Sequence, residues 1–215
     1  MTVAPQGLAG GEETWLRSKD SLTISSVAQR PLARPSCGSP MRRLILFRHA
    51  KSDWPEGDVD DHDRALATRG RRAAPPMGAW LAGRGFRPDL TLCSTAQRTR
   101  ETWALAAKAF SPSPPERFEA DIYESSPKTL LTLVKSVDRS VQTLMIVGHN
   151  PGLEQLAKVL ATKGDPEARR LLSEKFPTAA IAVFDFPIDD WSALKPGGGR
   201  LDRFVTPRGL GIGAQ

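Results

Sequence analysis

Two imidazoles in this chain stand at the ends of apolar runs that read as β-strands. His49 follows Leu44-Ile45-Leu46-Phe47-Arg48, and His149 follows Leu144-Met145-Ile146-Val147-Gly148. In an open α/β sheet, ligands bind outside the carboxyl ends of the strands. Two strand-end histidines about a hundred residues apart can therefore meet over one pocket. Arg48, beside the first of them, makes that pocket attractive to an anion.

A third segment supplies a second guanidinium. Leu92-Cys93 ends another strand-like run, and Ser94-Thr95-Ala96-Gln97 follows as a capping box of the S-x-x-Q type. The free N–H groups of a helix N-terminus favour an anion, and Arg98 falls on that first turn. Arg48, His49, Arg98 and His149 together suit phosphoryl chemistry. Arginine forks make bidentate phosphate contacts. Fixed positive donors stabilise the charge that spreads over the equatorial oxygens during transfer. A neutral imidazole with a free lone pair is a nucleophile at neutral pH and forms a transient phosphohistidine. The second imidazole, when protonated, donates to the oxygens, so this chemistry requires no metal and no other cofactor.

The segments that must position these groups alternate strand and helix. Strands are expected at Arg43–Arg48, Leu90–Cys93, Leu144–Gly148, Ala180–Phe186 and Leu201–Val205. Helices are expected at Thr68–Gly83, Thr95–Phe110, Pro127–Val137, Gly152–Leu160 and Pro166–Phe176. Pro75 and Pro76 fall inside the first helix and should kink or break it. The alternation predicts an α/β fold, a three-layer α/β/α sandwich with a mostly parallel central sheet. Asp189-Asp190 and Gly197-Gly198-Gly199 read as turns between late, antiparallel strands.

The chain has 215 residues, which suits one domain with a proper core. Residues 1–40 differ from the rest: they are rich in Gly, Pro, Ser and Ala and lack hydrophobic periodicity. They are expected to be a disordered N-terminal extension, with 41–215 as the domain and Met41 as a candidate true start. No apolar h-region marks a secretory signal, and Glu12, Glu13 and Asp20 argue against a transit peptide. No apolar stretch is long enough to span a bilayer. Cys37 and Cys93 are the only cysteines, too few for a disulfide framework or a zinc cage, so a reducing cytoplasm is expected.

A formal charge of +6 first suggests nucleic acid. The basic residues are scattered, however, and Tyr123 is the only tyrosine. No aromatic and basic residues alternate as a base-stacking platform requires, so nucleic acid is not expected as a partner. Asp58, Asp60, Asp61, His62 and Asp63 invite a metal, but they lack the glycine and terminal glutamate of a calcium loop. A solvated loop anchored by Asp63 or Arg64 is the better reading, with His62 a surface histidine. Ser94 reads as a helix cap and Cys93 as a packed strand end. Leu130, Leu131, Leu133 and Val134 read as core.

At the level of whole motifs, the chain resembles the histidine phosphatase superfamily, in particular its small SixA-like branch of phosphohistidine phosphatases. The resemblance rests on Leu44-Ile-Leu-Phe-Arg48-His49-Ala50-Lys51-Ser52, Asp61-His62-Asp63-Arg64-Ala-Leu and Thr68-Arg-Gly70-Arg-Arg. It continues in Ser94-Thr-Ala-Gln-Arg98-Thr-Arg-Glu-Thr102, Ile146-Val-Gly148-His149-Asn150-Pro151-Gly152 and Phe176-Pro177-Thr178. The resemblance implies a phosphoglycerate mutase-like fold, His49 as phosphoryl acceptor, and a phosphate pocket of Arg48, Arg98 and His149, with Ser52 as a further substrate-binding residue. Ala50 replaces the superfamily's usual glycine, and Pro55 stands where mutase-like members place an asparagine, which argues against mutase activity. Two carboxylates are candidates for the general acid, Asp53 and Glu124, and each reads equally well as a solvated loop residue. The absence of a long insertion for a lid implies an open pocket. The expected partner is a phosphohistidine-bearing protein. The alternatives are a small phosphoester substrate or, in another class, a non-catalytic phosphate-binding module.

Overall fold

Strand β1 (Arg42–Arg48) is buried on both faces, and its alternation divides two cores. Leu44 and Leu46 face one apolar cluster, while Ile45 and Phe47 face the other. Strand β4 (Thr143–Gly148) repeats this, with Leu144 and Ile146 on the first side and Met145 and Val147 on the second. Near-continuous apolar runs are what strands covered on both faces require. The two strands pair in parallel, with Arg48 opposite Gly148. That register sets His49 and His149 side by side beyond the carboxyl ends.

The computed structural model describes Met1 and residues 41–54 and 59–212. The expected extension, apart from Met1, and positions Pro55 and Asp58 lie outside the described residues. The remaining strands are β2 (Leu90–Ser94), β3 (Glu116–Glu119), β5 (Ala161–Gly164), β6 (Ile181–Phe186) and β7 (Gly199–Val205). They complete a seven-stranded sheet of order β3-β2-β4-β1-β6-β7-β5. Only β6 runs against the others, antiparallel to both β1 and β7. Helices α1 (Thr68–Gly83) and α2 (Gln97–Ala107) cover one face through Met77, Leu81 and Trp103. Helices α3 (Pro127–Lys135), α4 (Gly152–Leu160) and α5 (Pro166–Glu174) cover the other through Leu130, Leu156 and Leu172. The result is the three-layer, mostly parallel architecture expected from the sequence.

Three local expectations are corrected. Helix α1 runs unbroken through Pro75 and Pro76. Its buried positions are Gly70, Ala73, Ala74, Met77, Gly78 and Leu81, so the prolines lie off the packed stripe. The carbonyls they leave without a donor belong to Arg71 and Arg72, which are exposed, and water satisfies such groups. Helix α2 begins at Gln97 with Ala96 as its N-cap and no side-chain cap bond, so Ser94 is not the cap. Strands β3 and β5 were not expected. Each has only four residues at a sheet edge, and neither carries an apolar run.

Close approach fixes two glycines near the strand ends. A Cβ on Gly70 would stand 2.1 Å from the Lys51 carbonyl oxygen, and one on Gly152 would stand 2.3 Å from that of Ser125. The first lets α1 press on the loop after His49, and the second lets α4 start immediately beyond His149. Among the described residues, no helix is long and apolar enough to cross a membrane.

Candidate active site

His49 is held by backbone on both sides. Its N–H donates to Gly148 O at 3.0 Å, and its carbonyl accepts from Ala179 N at 3.0 Å. The ring nitrogen Nδ1 lies 2.8 Å from Ala50 O. A carbonyl only accepts, so Nδ1 carries the proton and Nε2 keeps the lone pair. The Ala50 methyl is fully buried, and its N–H donates to Thr102 Oγ1 at 2.9 Å, so the site accommodates alanine in place of glycine. Burial lowers the His49 pKa to about 3. The Ala50 bond opposes that shift, and the charges of Arg48, Arg98 and Arg64 add to it.

His149 packs against it with ring centroids 5.2 Å apart and planes tilted by 49°. Its Nε2 lies 2.8 Å from Ser94 Oγ, at the end of β2. Its Nδ1 is buried and has no partner among the described residues. Burial, followed by His49 and Arg98, lowers the His149 pKa to about 3 as well, against a contrary pull from Asp61. At neutral pH both imidazoles are therefore uncharged in the free protein, so His149 does not carry the proton that a charged donor would need. Tyr123 meets His149 edge to face at 5.4 Å and His62 in the same manner at 5.1 Å.

The two arginines are fixed differently. Arg48 Nη1 donates to Phe176 O at 2.7 Å, an oxygen that also accepts from Asn150 Nδ2 at 3.0 Å. Arg48 Nε is buried without a partner among the described residues. Burial lowers the Arg48 pKa, with Glu154 acting in the opposite sense. Arg98 donates Nη1 to Asp61 O and Nη2 to Asp61 Oδ2, the latter at 2.9 Å. Tyr123 Oη donates to the same Oδ2 at 2.8 Å, and Arg64 Nη1 donates to Oδ1. Partial burial would raise the Asp61 pKa, but these donors and the Arg98 charge outweigh it and hold it at about 2.

Thus Arg48, His49, Arg98 and His149 come together beyond the carboxyl ends of the central strands. The other expected site residues have the following surroundings. Ser52 is buried, and its hydroxyl accepts from Arg64 Nη2 at 2.9 Å. Asp53 is exposed; its carboxylate accepts from Trp54 N at 3.0 Å, and its carbonyl accepts from Arg64 Nε. Glu124 is exposed, with a left-handed φ of 49°. Arg64 anchors the acidic loop, as expected, but Asp61 rather than Asp63 is its central carboxylate.

Asp61, Tyr123 and Ser94 were missed as site residues. Asp61 opens one of the family motifs and Ser94 a capping box, but neither pattern pointed to the partner found here. Among the described residues, no group of three or more His, Cys, Asp or Glu could hold a metal ion. Beside the site, a groove of about 630 Å³ runs from His62 and Thr95 along α2 to Phe118 in β3.

Comparison with known proteins places this geometry in a family. Residues 44–125 match the histidine phosphatase superfamily (branch 1). An uncharacterised protein of Mycobacterium tuberculosis is 40% identical over 164 residues, covering 75% of this chain and 100% of that protein. The structure of a proposed phosphohistidine phosphatase SixA from Nakamurella multipartitia is similar, with 31% identity and a TM-score of 0.67. The match covers 78% of this chain and 96% of that one. A second proposed SixA, from Agrobacterium tumefaciens, has 31% identity and a TM-score of 0.66, covering 77% of this chain and 98% of that one. The chain belongs to the histidine phosphatase superfamily, in its SixA-like branch.

Proposed function

We propose that this protein is a phosphatase that works through a phosphohistidine intermediate on His49 and takes phosphohistidine side chains of proteins as substrate. One observation carries the reading: the Nδ1 bond to Ala50 O leaves the His49 Nε2 lone pair free beside two arginines and a second imidazole. Nε2 attacks phosphorus, an N–P bond forms, and the bond from phosphorus to the leaving group breaks. Arg48, Arg98 and His149 bind the oxygens as charge spreads over them. Water then attacks the phosphoryl group on His49, releasing inorganic phosphate and restoring the imidazole.

The carboxylates favour a nitrogen leaving group. Among those described, Asp53 and Glu124 are exposed to solvent, and Asp61 is held ionised. An alkoxide leaving group needs a proton from an acid. A phosphohistidine ring can carry its own proton on the distal nitrogen and depart as neutral imidazole. The two similar structures described as proposed phosphohistidine phosphatases lend support.

The test is to trap an acid-labile phosphoryl group on the protein during turnover of a phosphohistidine protein. We expect the label on His49 and none in His49→Ala, whose turnover should fall at least ~10⁴-fold. A label that persists in His49→Ala overturns the mechanism. Turnover confined to a panel of sugar and glycerate phosphates assigns a small-molecule phosphomonoesterase instead. Phosphate binding without any turnover assigns a non-catalytic module.

A further inference from the structure

We infer that Ser94 is a positioning residue that selects the tautomer of His149, placing its proton on Nδ1 so that the neutral ring donates to the bound phosphoryl group. This rests on the phosphate-pocket reading above. Ser94 Oγ has two partners: Ala96 N at 3.4 Å and His149 Nε2 at 2.8 Å. The first is a backbone N–H, so toward it the hydroxyl only accepts. The hydroxyl proton then needs an acceptor. Ser94 is fully buried, so water is not at hand, and His149 Nε2 is the one acceptor in reach among the described residues.

The opposite assignment fails on two counts. If Nε2 held the proton and donated to Oγ, the serine hydroxyl proton would be buried with no acceptor, at a cost of roughly 1–3 kcal/mol. The Nδ1 lone pair would also face the phosphate oxygens and repel them. With Ser94 donating, every polar atom of these two side chains is satisfied except Nδ1–H. That atom is buried without a partner beside His49, as a donor waiting for a ligand should be. The assignment also explains how His149 serves the pocket while uncharged. The two histidines then share the Nδ1–H tautomer for opposite purposes. In His49 it frees Nε2 to attack, and in His149 it presents Nδ1–H to the oxygens.

The test is ¹⁵N NMR of the histidine side chains at neutral pH, with inorganic phosphate as probe, in the wild-type protein, Ser94→Ala and Ser94→Thr. Wild-type His149 should show a protonated Nδ1 and a bare Nε2, and phosphate should shift the Nδ1 resonance. Ser94→Ala should move His149 toward the Nε2–H form and weaken phosphate binding about tenfold, and Ser94→Thr should restore both. The His49 pattern should stay Nδ1–H throughout. A wild-type His149 protonated on Nε2 overturns the proposal whether or not any variant folds. Unchanged phosphate affinity in Ser94→Ala also overturns it. A protein with the expected tautomers that turns over no phosphohistidine would refute the phosphohistidine-substrate reading and leave the role of Ser94 standing.

Discussion

Asp61 grips Arg98 twice, with its backbone oxygen on Nη1 and its carboxylate on Nη2 at 2.9 Å. The same carboxylate takes Tyr123 and Arg64, so one residue of a short turn sets the angle of a guanidinium on α2 and a ring that packs on His149. Asp61→Ala should therefore lower kcat/KM by about tenfold to a hundredfold, since each bond to a charged group contributes roughly 1.5–3 kcal/mol. Steady-state kinetics with a phosphohistidine protein would measure this. A rise in kcat/KM would mean that the carboxylate competes with phosphate instead of holding its receptor.

The acid limb of activity should lie well below the ordinary histidine range. Burial holds His49 near a pKa of about 3, so the free enzyme keeps its nucleophile unprotonated at pH 5. A pH profile of kcat/KM on an acid-stable phosphate analogue checks this, and a limb centred at 6.5 would contradict it.

Stability should fall with acid in two stages. The folded protein disfavours protonation of His49 and His149, while the unfolded chain accepts it below the ordinary histidine value of 6.5. Stability present above that value is thus lost as pH falls toward about 3. Asp61 adds a later loss, between the ordinary carboxylate value of 3.8 and about 2. Denaturant midpoints measured from pH 7 to pH 3 should decline steadily. In a His149→Gln background the decline should be shallower.

Exposed carboxylates should be dispensable for a nitrogen leaving group. Glu124→Gln and Asp53→Asn should each change phosphohistidine turnover by less than about threefold, in line with solvated side chains. A hundredfold loss in either would restore that residue as general acid.

Gly70→Ala should cost about 1–3 kcal/mol in stability, because the new methyl meets the Lys51 carbonyl oxygen at 2.1 Å. Lys51 lies two residues after His49, so kcat should fall as well. Thermal melts and kinetics on the same preparation would separate the two effects.

The central architecture was legible because β1 and β4 are apolar on both faces, a pattern that only a covered strand sustains. The four pocket residues were legible because each stands where an apolar run ends or a helix begins. Strand β3, Glu116-Arg117-Phe118-Glu119, was not, because a short edge strand exposed to water needs no apolar signature. The contact of Tyr123 with Asp61 joins residues 62 positions apart, which no local pattern encodes. Ser94 shows a different limit. Its capping box is a valid local signal, but a buried imidazole 55 positions away took the hydroxyl instead.

The reversed direction of β6 has a consequence for biosynthesis. Because that strand runs against the rest, its beginning reaches the pocket: Phe176 O receives Arg48, and Ala179 N binds His49 O. The pocket thus joins residues 128 positions apart, and a nascent chain that has not passed Ala180 cannot close it. Phosphate binding by chains arrested at successive lengths would report the moment at which the fold is complete.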